Sequence, residues 1–166
     1  MLIGLLAGHL PLVCVSVGSN LGDRRAHLEW AIAELTGLLQ HARASSVLET
    51  DPQDVPDQQP SYLNAVVVGE TSLAPDELLR VLLGLEAERG RQRPSRHAAR
   101  TLDLDLILYG DDVIDRPGLA VPHPAFRERD FVLTPLVELE PDWTDPVSGK
   151  TARELRDRLR VRGKSG

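Results

Sequence analysis

Only one cysteine, Cys14, occurs in the 166 residues, so no internal disulfide can form. It sits in an apolar run, where a thiol behaves as a small hydrophobe and fits a reducing compartment. Lysine is nearly missing: Lys150 and Lys164 stand against 17 arginines. A basic excess is missing too. The formal net charge of -6 argues against a general nucleic-acid binder. The opening stretch MLIGLLAGHLPLVCVSV is apolar but lacks a positive leading segment, and His9 and Pro11 interrupt it well short of a membrane span. A cytoplasmic protein with neither membrane nor nucleic-acid partners is expected, and nothing in the sequence demands more than a monomer. Repeats and low-complexity tracts are lacking, which leaves one domain over residues 12–166 behind an N-terminal extension, residues 1–11.

What is present reads as alternating strands and helices. LVCVSV at 12–17 is a buried strand ending at Gly18, and Asp23 is placed to cap a helix from about Arg24 to Gln40 with Leu28, Ile32, Leu35 and Leu39 at helical spacing. A strand over Ala44–Thr50, a proline-containing loop over 51–61 and a strand over Tyr62–Thr71 follow. Pro75 opens a second helix with Leu78, Leu82 and Leu85 as its stripe, and Gly90 stops it. After a polar loop comes the strand RTLDLDLIL, residues 100–108, and then a turn at Tyr109-Gly110-Asp111-Asp112. The order βαββαβ predicts an α+β, ferredoxin-like fold, mostly antiparallel, with both helices on one face. Beyond it the sequence predicts a short strand near Val113–Ile114, a turn at Arg116-Pro117-Gly118, two helical pieces within 121–141, and a C-terminal helix opened by a Thr151/Glu154 capping box.

RTLDLDLIL carries two acids inside an apolar strand. Residues i and i+2 share a face about 6.6 Å apart along the backbone, so Asp103 and Asp105 lie together while Leu102, Leu104 and Leu106 fill the other side. Paired carboxylates repel unless something positive lies between them. Candidates are one Mg²⁺, two Mg²⁺, or arginines; the bland alternative is an edge strand showing its polar face to water. Hard aspartate oxygens suit Mg²⁺, which prefers a few carboxylates plus substrate phosphates. Just upstream, Arg89, Arg91, Arg93, Arg96 and Arg100 occur with His97 and no acid. Guanidinium forks bind phosphate oxygens in pairs and keep their proton, so loop and strand together suit a polyphosphate. The competing reading is a solvated loop paired with Glu86 and Glu88. Tyr62 and Asn64 put an aromatic ring and an amide at a strand start, His123 stands between two prolines, and Arg127, Arg129 and Phe131 follow. Each also has an ordinary structural reading.

VSVGSNLGD, YLNAVV, RTLDLDLIL, VPHP and R-x-F-V-L-x-P-L occur in that order over residues 12–143, and they are specific as an ordered set. This set resembles the 6-hydroxymethyl-7,8-dihydropterin pyrophosphokinase family of folate biosynthesis. The resemblance implies a ferredoxin-like α+β fold and transfer of the β,γ-pyrophosphoryl group of ATP to the pterin hydroxymethyl oxygen, releasing AMP. It implies that Asp103 and Asp105 hold two Mg²⁺ ions. It assigns Arg91, Arg93 and Arg100 to the phosphates, and Glu86, His123 and Arg129 to the ATP side. Tyr62 and Phe131 would flank the pterin, Asn64 would bond its edge, and Thr50 would form part of the other wall. The chain departs from the family at His97-Ala98-Ala99, where Trp-Gly-Pro is common, at Pro94, in a loop one residue shorter, and at Pro124, where some members have an aromatic. Those changes keep open a weakened relative that binds nucleotide or a partner protein. A two-metal phosphodiesterase or nuclease fits the acids but not the acidic overall charge.

Overall fold

The computed structural model describes residues 9–51, 61–90 and 101–165. Arg91, Arg93, Arg100 and His97 lie outside the described residues, as do residues 1–8 of the extension. The elements run β1 (Leu12–Ser19), α1 (Arg24–Leu38), β2 (Gln40–Ala44), β3 (Leu48–Thr50), β4 (Tyr62–Glu70), α2 (Pro75–Glu88), β5 (Asp103–Tyr109), β6 (Ile114–Arg116), β7 (Leu119–Val121), a 3-10 turn (Phe126–Glu128), α3 (Asp130–Leu139) and α4 (Ala152–Ser165). The main sheet has the order β2-β4-β1-β5 with β3 also on β4, and its pairings are antiparallel. This is the ferredoxin-like arrangement expected from the sequence.

The expected second strand, Ala44–Thr50, is instead two short pieces, β2 and β3. Between them the Ser45 backbone N–H donates to the Val66 carbonyl at 3.0 Å, and the Ser45 hydroxyl accepts from the Val66 N–H at 2.9 Å. A side chain thus replaces one ladder carbonyl, so β4 stays satisfied while its partner bends. Helix α1 ends two residues earlier than expected, because Leu39 turns extended while its side chain stays buried. No glycine marks that stop in the sequence. The predicted Asp23 cap does form: its carboxylate accepts from the Ala26 N–H at 3.1 Å.

Two cores sandwich the sheet. Leu28, Ala31 and Leu35 of α1 and Leu78 and Leu82 of α2 pack with Val15, Val17, Leu104 and Leu106 on one face. Phe126, Val132, Leu133 and Leu136, with Leu155 of α4, pack with Cys14, Val66, Val68 and Ile107 on the other. The α2 stripe continues to Glu86, which is buried, and not to Leu85, which is only half-buried. The Glu86 carboxyl group accepts from a backbone N–H, as shown below. Pairing of β1 with β5 slips between Cys14 and Val15, leaving Ile107 as an extra residue. This bulge sends both Ile107 and Leu108 into the second core. Burial raises the Cys14 thiol well above its ordinary pKa, so it is inert. No helix among the described residues is long and apolar enough to cross a membrane.

The 3-10 turn is tied to the chain before α4 by Arg127. Its guanidinium is bidentate on Asp145, which also accepts from the Ser148 hydroxyl and the Val147 N–H. Burial alone would raise the Asp145 pKa; these bonds outweigh it and hold the carboxyl at about 2 against an ordinary 3.8. Because the folded value is the lower one, the stabilisation is complete above the unfolded pKa and fades as pH falls from about 4 towards 2. The shift corresponds to roughly 2 kcal/mol. Urea midpoints taken from pH 7 to pH 2 should fall over that range, and Asp145→Asn should flatten that acid limb. An unchanged limb would remove this pair as its cause.

Candidate active site

The site forms on the α3 side of the sheet, beyond the end of the second core. Register fixes its floor. Gly18 of β1 is paired with Asn64 of β4 on one side and Asp103 of β5 on the other. One row further in, Ser16 lies between Val66 and Asp105. Strand alternation sends Leu104 and Leu106 into the first core, so Asp103 and Asp105 face the opposite side, half-buried, as the i, i+2 spacing requires.

A buried carboxylate holds this strand. Glu86 of α2 is 2% exposed, and its Oε2 accepts from the Leu104 N–H at 2.7 Å. Leu104 separates the two aspartates, so the bond anchors the stretch of β5 that carries them. Glu86 therefore lies behind the acid strand, among the first core's residues on α2, and does not line the open face.

His123, Arg129 and Phe131 arrive from the chain after β7. The His123 N–H donates to the Ile107 carbonyl at 2.8 Å, at the bulge in β5. The His123 Nδ1 accepts from the Ala125 N–H at 3.1 Å, which leaves Nε2 as the protonated nitrogen. Burial first, and Arg129 second, lower the ring's pKa against an opposing pull from Asp103, so the imidazole is a neutral donor at pH 7. Arg129 places Nη1 3.7 Å from Asp105 Oδ2 and its guanidinium carbon 5.6 Å from the centre of the Phe131 ring. It thus links the acid pair to the aromatic wall. Asp105 and His123 also line a cavity of about 280 Å³ with Leu79, Leu106, Leu119 and Arg116.

On the other side, Asn64 is oriented by its neighbours. Its Nδ2 donates to Thr50 Oγ1 at 2.8 Å and to the Leu48 carbonyl at 3.3 Å. The amide oxygen is turned towards Gly18, where it would lie 3.4 Å from an added Cβ. Asn64 therefore presents an acceptor, and Thr50 acts through it. Tyr62, paired with Thr50, lies over the same strip of β1, its ring 3.7 Å from that Cβ position.

Sequence reasoning missed the brace beneath this wall. Arg24 Nη1 donates to the Ser61 carbonyl at 2.7 Å and hydroxyl at 2.8 Å and lies 3.2 Å from Glu49 Oε2, while the Ser61 hydroxyl bonds Glu49. These contacts join the start of α1 to the ends of β3 and β4. No local sequence pattern signals them.

A sequence model of the family described as 7,8-dihydro-6-hydroxymethylpterin-pyrophosphokinase (HPPK) matches residues 14–141. This chain belongs to that family. The 2-amino-4-hydroxy-6-hydroxymethyldihydropteridine pyrophosphokinase of a Synechocystis strain is 44% identical over 143 residues, spanning 85% of this chain and 72% of its own. The pyrophosphokinase of the same name from Aquifex aeolicus is 37% identical, spanning 89% and 91%. Among solved structures, Plasmodium falciparum HPPK-DHPS superposes with a TM-score of 0.74 at 15% identity, which speaks for the fold. The match covers 95% of this chain but 46% of that longer protein. The residues matched by the family model run from within β1 to just past α3, so they include the acid strand and the His123 segment of this pyrophosphokinase chain.

Proposed function

We infer that the chain performs its family's reaction. It is a 2-amino-4-hydroxy-6-hydroxymethyldihydropteridine pyrophosphokinase of folate biosynthesis, with ATP as co-substrate. The hydroxymethyl oxygen attacks the β-phosphorus of ATP and the bond from that phosphorus to the α,β-bridging oxygen breaks. AMP departs with the bridging oxygen, and the hydroxyl proton is released. Such transfers rest on positioning and charge stabilisation more than on covalent catalysis. The observation that carries this reading is the row Asn64–Gly18–Asp103, which sets an amide acceptor and the first of the two carboxylates on one face of the sheet.

Among the described residues no cluster of three or more His, Cys, Asp or Glu could hold a metal. Two carboxylates alone still fit Mg²⁺, which keeps several waters and takes its remaining oxygens from phosphates. Asp103 and Asp105 would hold two such ions, whose charge would neutralise the triphosphate. Arg91, Arg93 and Arg100 are proposed to bind its oxygens, with Arg129 steadying Asp105 and contributing a further guanidinium. His123, neutral with Nε2–H available, donates to the nucleotide. Glu86 supports the ATP side by fixing β5. The pterin stacks between Tyr62 and Phe131, and the Asn64 oxygen accepts from its N–H edge. We place this work in the cytoplasm, in a monomer with one domain over residues 12–166 and an extension over residues 1–11. Identities of 37% and 44% to pyrophosphokinases do not favour the weakened-relative alternative.

The test is a product assay with MgATP and 6-hydroxymethyl-7,8-dihydropterin. AMP and pterin diphosphate should form one-for-one and vanish with EDTA. Intact ATP in the presence of well-folded protein would overturn the assignment.

A further inference from the structure

We propose that Gly18 sets the specificity for the substituent at the pterin 6-position, by leaving open the lane along which the hydroxymethyl arm reaches the phosphates. The inference rests on the pterin and metal sites proposed above. Three neighbouring strands carry Asn64, Gly18 and Asp103 in one register row. With strands about 4.8 Å apart, the backbones of Asn64 and Asp103 are separated by two spacings, about 10 Å. A ring held at Asn64 must extend its arm across β1 to meet a phosphorus held beside Asp103, and the residue crossed is Gly18. A side chain on that residue would rise between the two sites.

The local geometry makes alanine diagnostic. A Cβ on Gly18 would lie 3.4 Å from Asn64 Oδ1, 3.7 Å from the Tyr62 ring and 3.9 Å from the Leu63 carbonyl. These are ordinary van der Waals contacts, and Gly18 is not among the glycines with positive φ. Neither backbone conformation nor packing therefore demands glycine in β1. Its neighbours would touch the new methyl group without moving, while a ligand arm in the same space would collide with it. Glycine in a strand interior forgoes side-chain packing and often marks close approach of a ligand.

The experiment compares two ligands on three proteins: 6-hydroxymethyl-7,8-dihydropterin, which has the arm, and unsubstituted 7,8-dihydropterin, which lacks it. Gly18→Ala should lose tenfold or more in affinity and in kcat/KM for the first, while its Kd for the second and for MgATP stays within twofold of wild type. Equal losses for both pterins, or no loss for either, would overturn the lane. Asn64→Ala, run in parallel, should weaken both pterins alike. If it weakens neither, the pterin site itself is misplaced and the lane falls with it. The wild-type protein supplies a check free of any folding effect. There 6-methyl-7,8-dihydropterin should bind at least as tightly as the unsubstituted ring, and tenfold weaker binding would contradict an open lane.

Discussion

Asp105→Asn should fold as the wild type does and lose about 10²–10³-fold in kcat, the scale seen when one preorganised electrostatic partner of a transition state is removed. The substitution keeps side-chain volume and removes one negative charge from the face it shares with Asp103. The stability side of the ledger is small. The Asp105 side chain is 33% exposed and its separation from Arg129 is 3.7 Å. A partly solvated ion pair of that kind contributes at most about 1 kcal/mol. In a chain of this size that moves the unfolding midpoint by about 2–4 °C. The two readouts therefore separate cleanly: an AMP-formation assay should collapse while thermal unfolding barely moves. The Mg²⁺ concentration for half-maximal rate should rise, because one hard oxygen ligand has become a neutral amide. Wild-type turnover at ordinary Mg²⁺ would mean that Asp105 holds no metal in the reaction.

The acid pair was legible in the sequence because it depends only on strand periodicity. Once RTLDLDLIL is a strand, Asp103 and Asp105 must share a face. Order βαββαβ was legible for a similar reason, since each element carries its own apolar period and punctuation. What escaped depends on partners distant in the chain. Ser45 breaks the second strand by bonding Val66, and nothing near Ser45 announces that. Leu85 fits the apolar stripe of α2 as well as any leucine, yet the buried position belongs to Glu86. Gly18 ends an apolar run and reads as a strand stop; only the registers of β4 and β5 reveal what flanks it. The Arg24 brace likewise spans three elements. The arginines at 91, 93 and 100, singled out by charge density, rest on sequence and family resemblance alone.

Glu86 offers the second large effect, and it couples stability to turnover. Glu86→Ala removes the acceptor 2.7 Å from the Leu104 N–H, leaving a buried donor unsatisfied at about 1–3 kcal/mol. The truncated side chain also leaves unfilled volume between α2 and β5, which adds to the loss. A total near 3 kcal/mol would lower the unfolding midpoint by about 6–12 °C. Turnover should fall as well, because the lost tether is at the residue between Asp103 and Asp105. Glu86→Gln separates the two effects of the change. Its amide oxygen can still accept from Leu104, so the strand stays pinned although the carboxylate charge is gone. If Glu86 works by positioning β5, glutamine should recover most of the stability and the Mg²⁺ dependence that alanine loses. A glutamine variant as slow as alanine, yet as stable as wild type, would instead give the carboxylate a direct part at the nucleotide. Alanine unfolding at the wild-type temperature would show that the buried bond does not hold the acid strand at all.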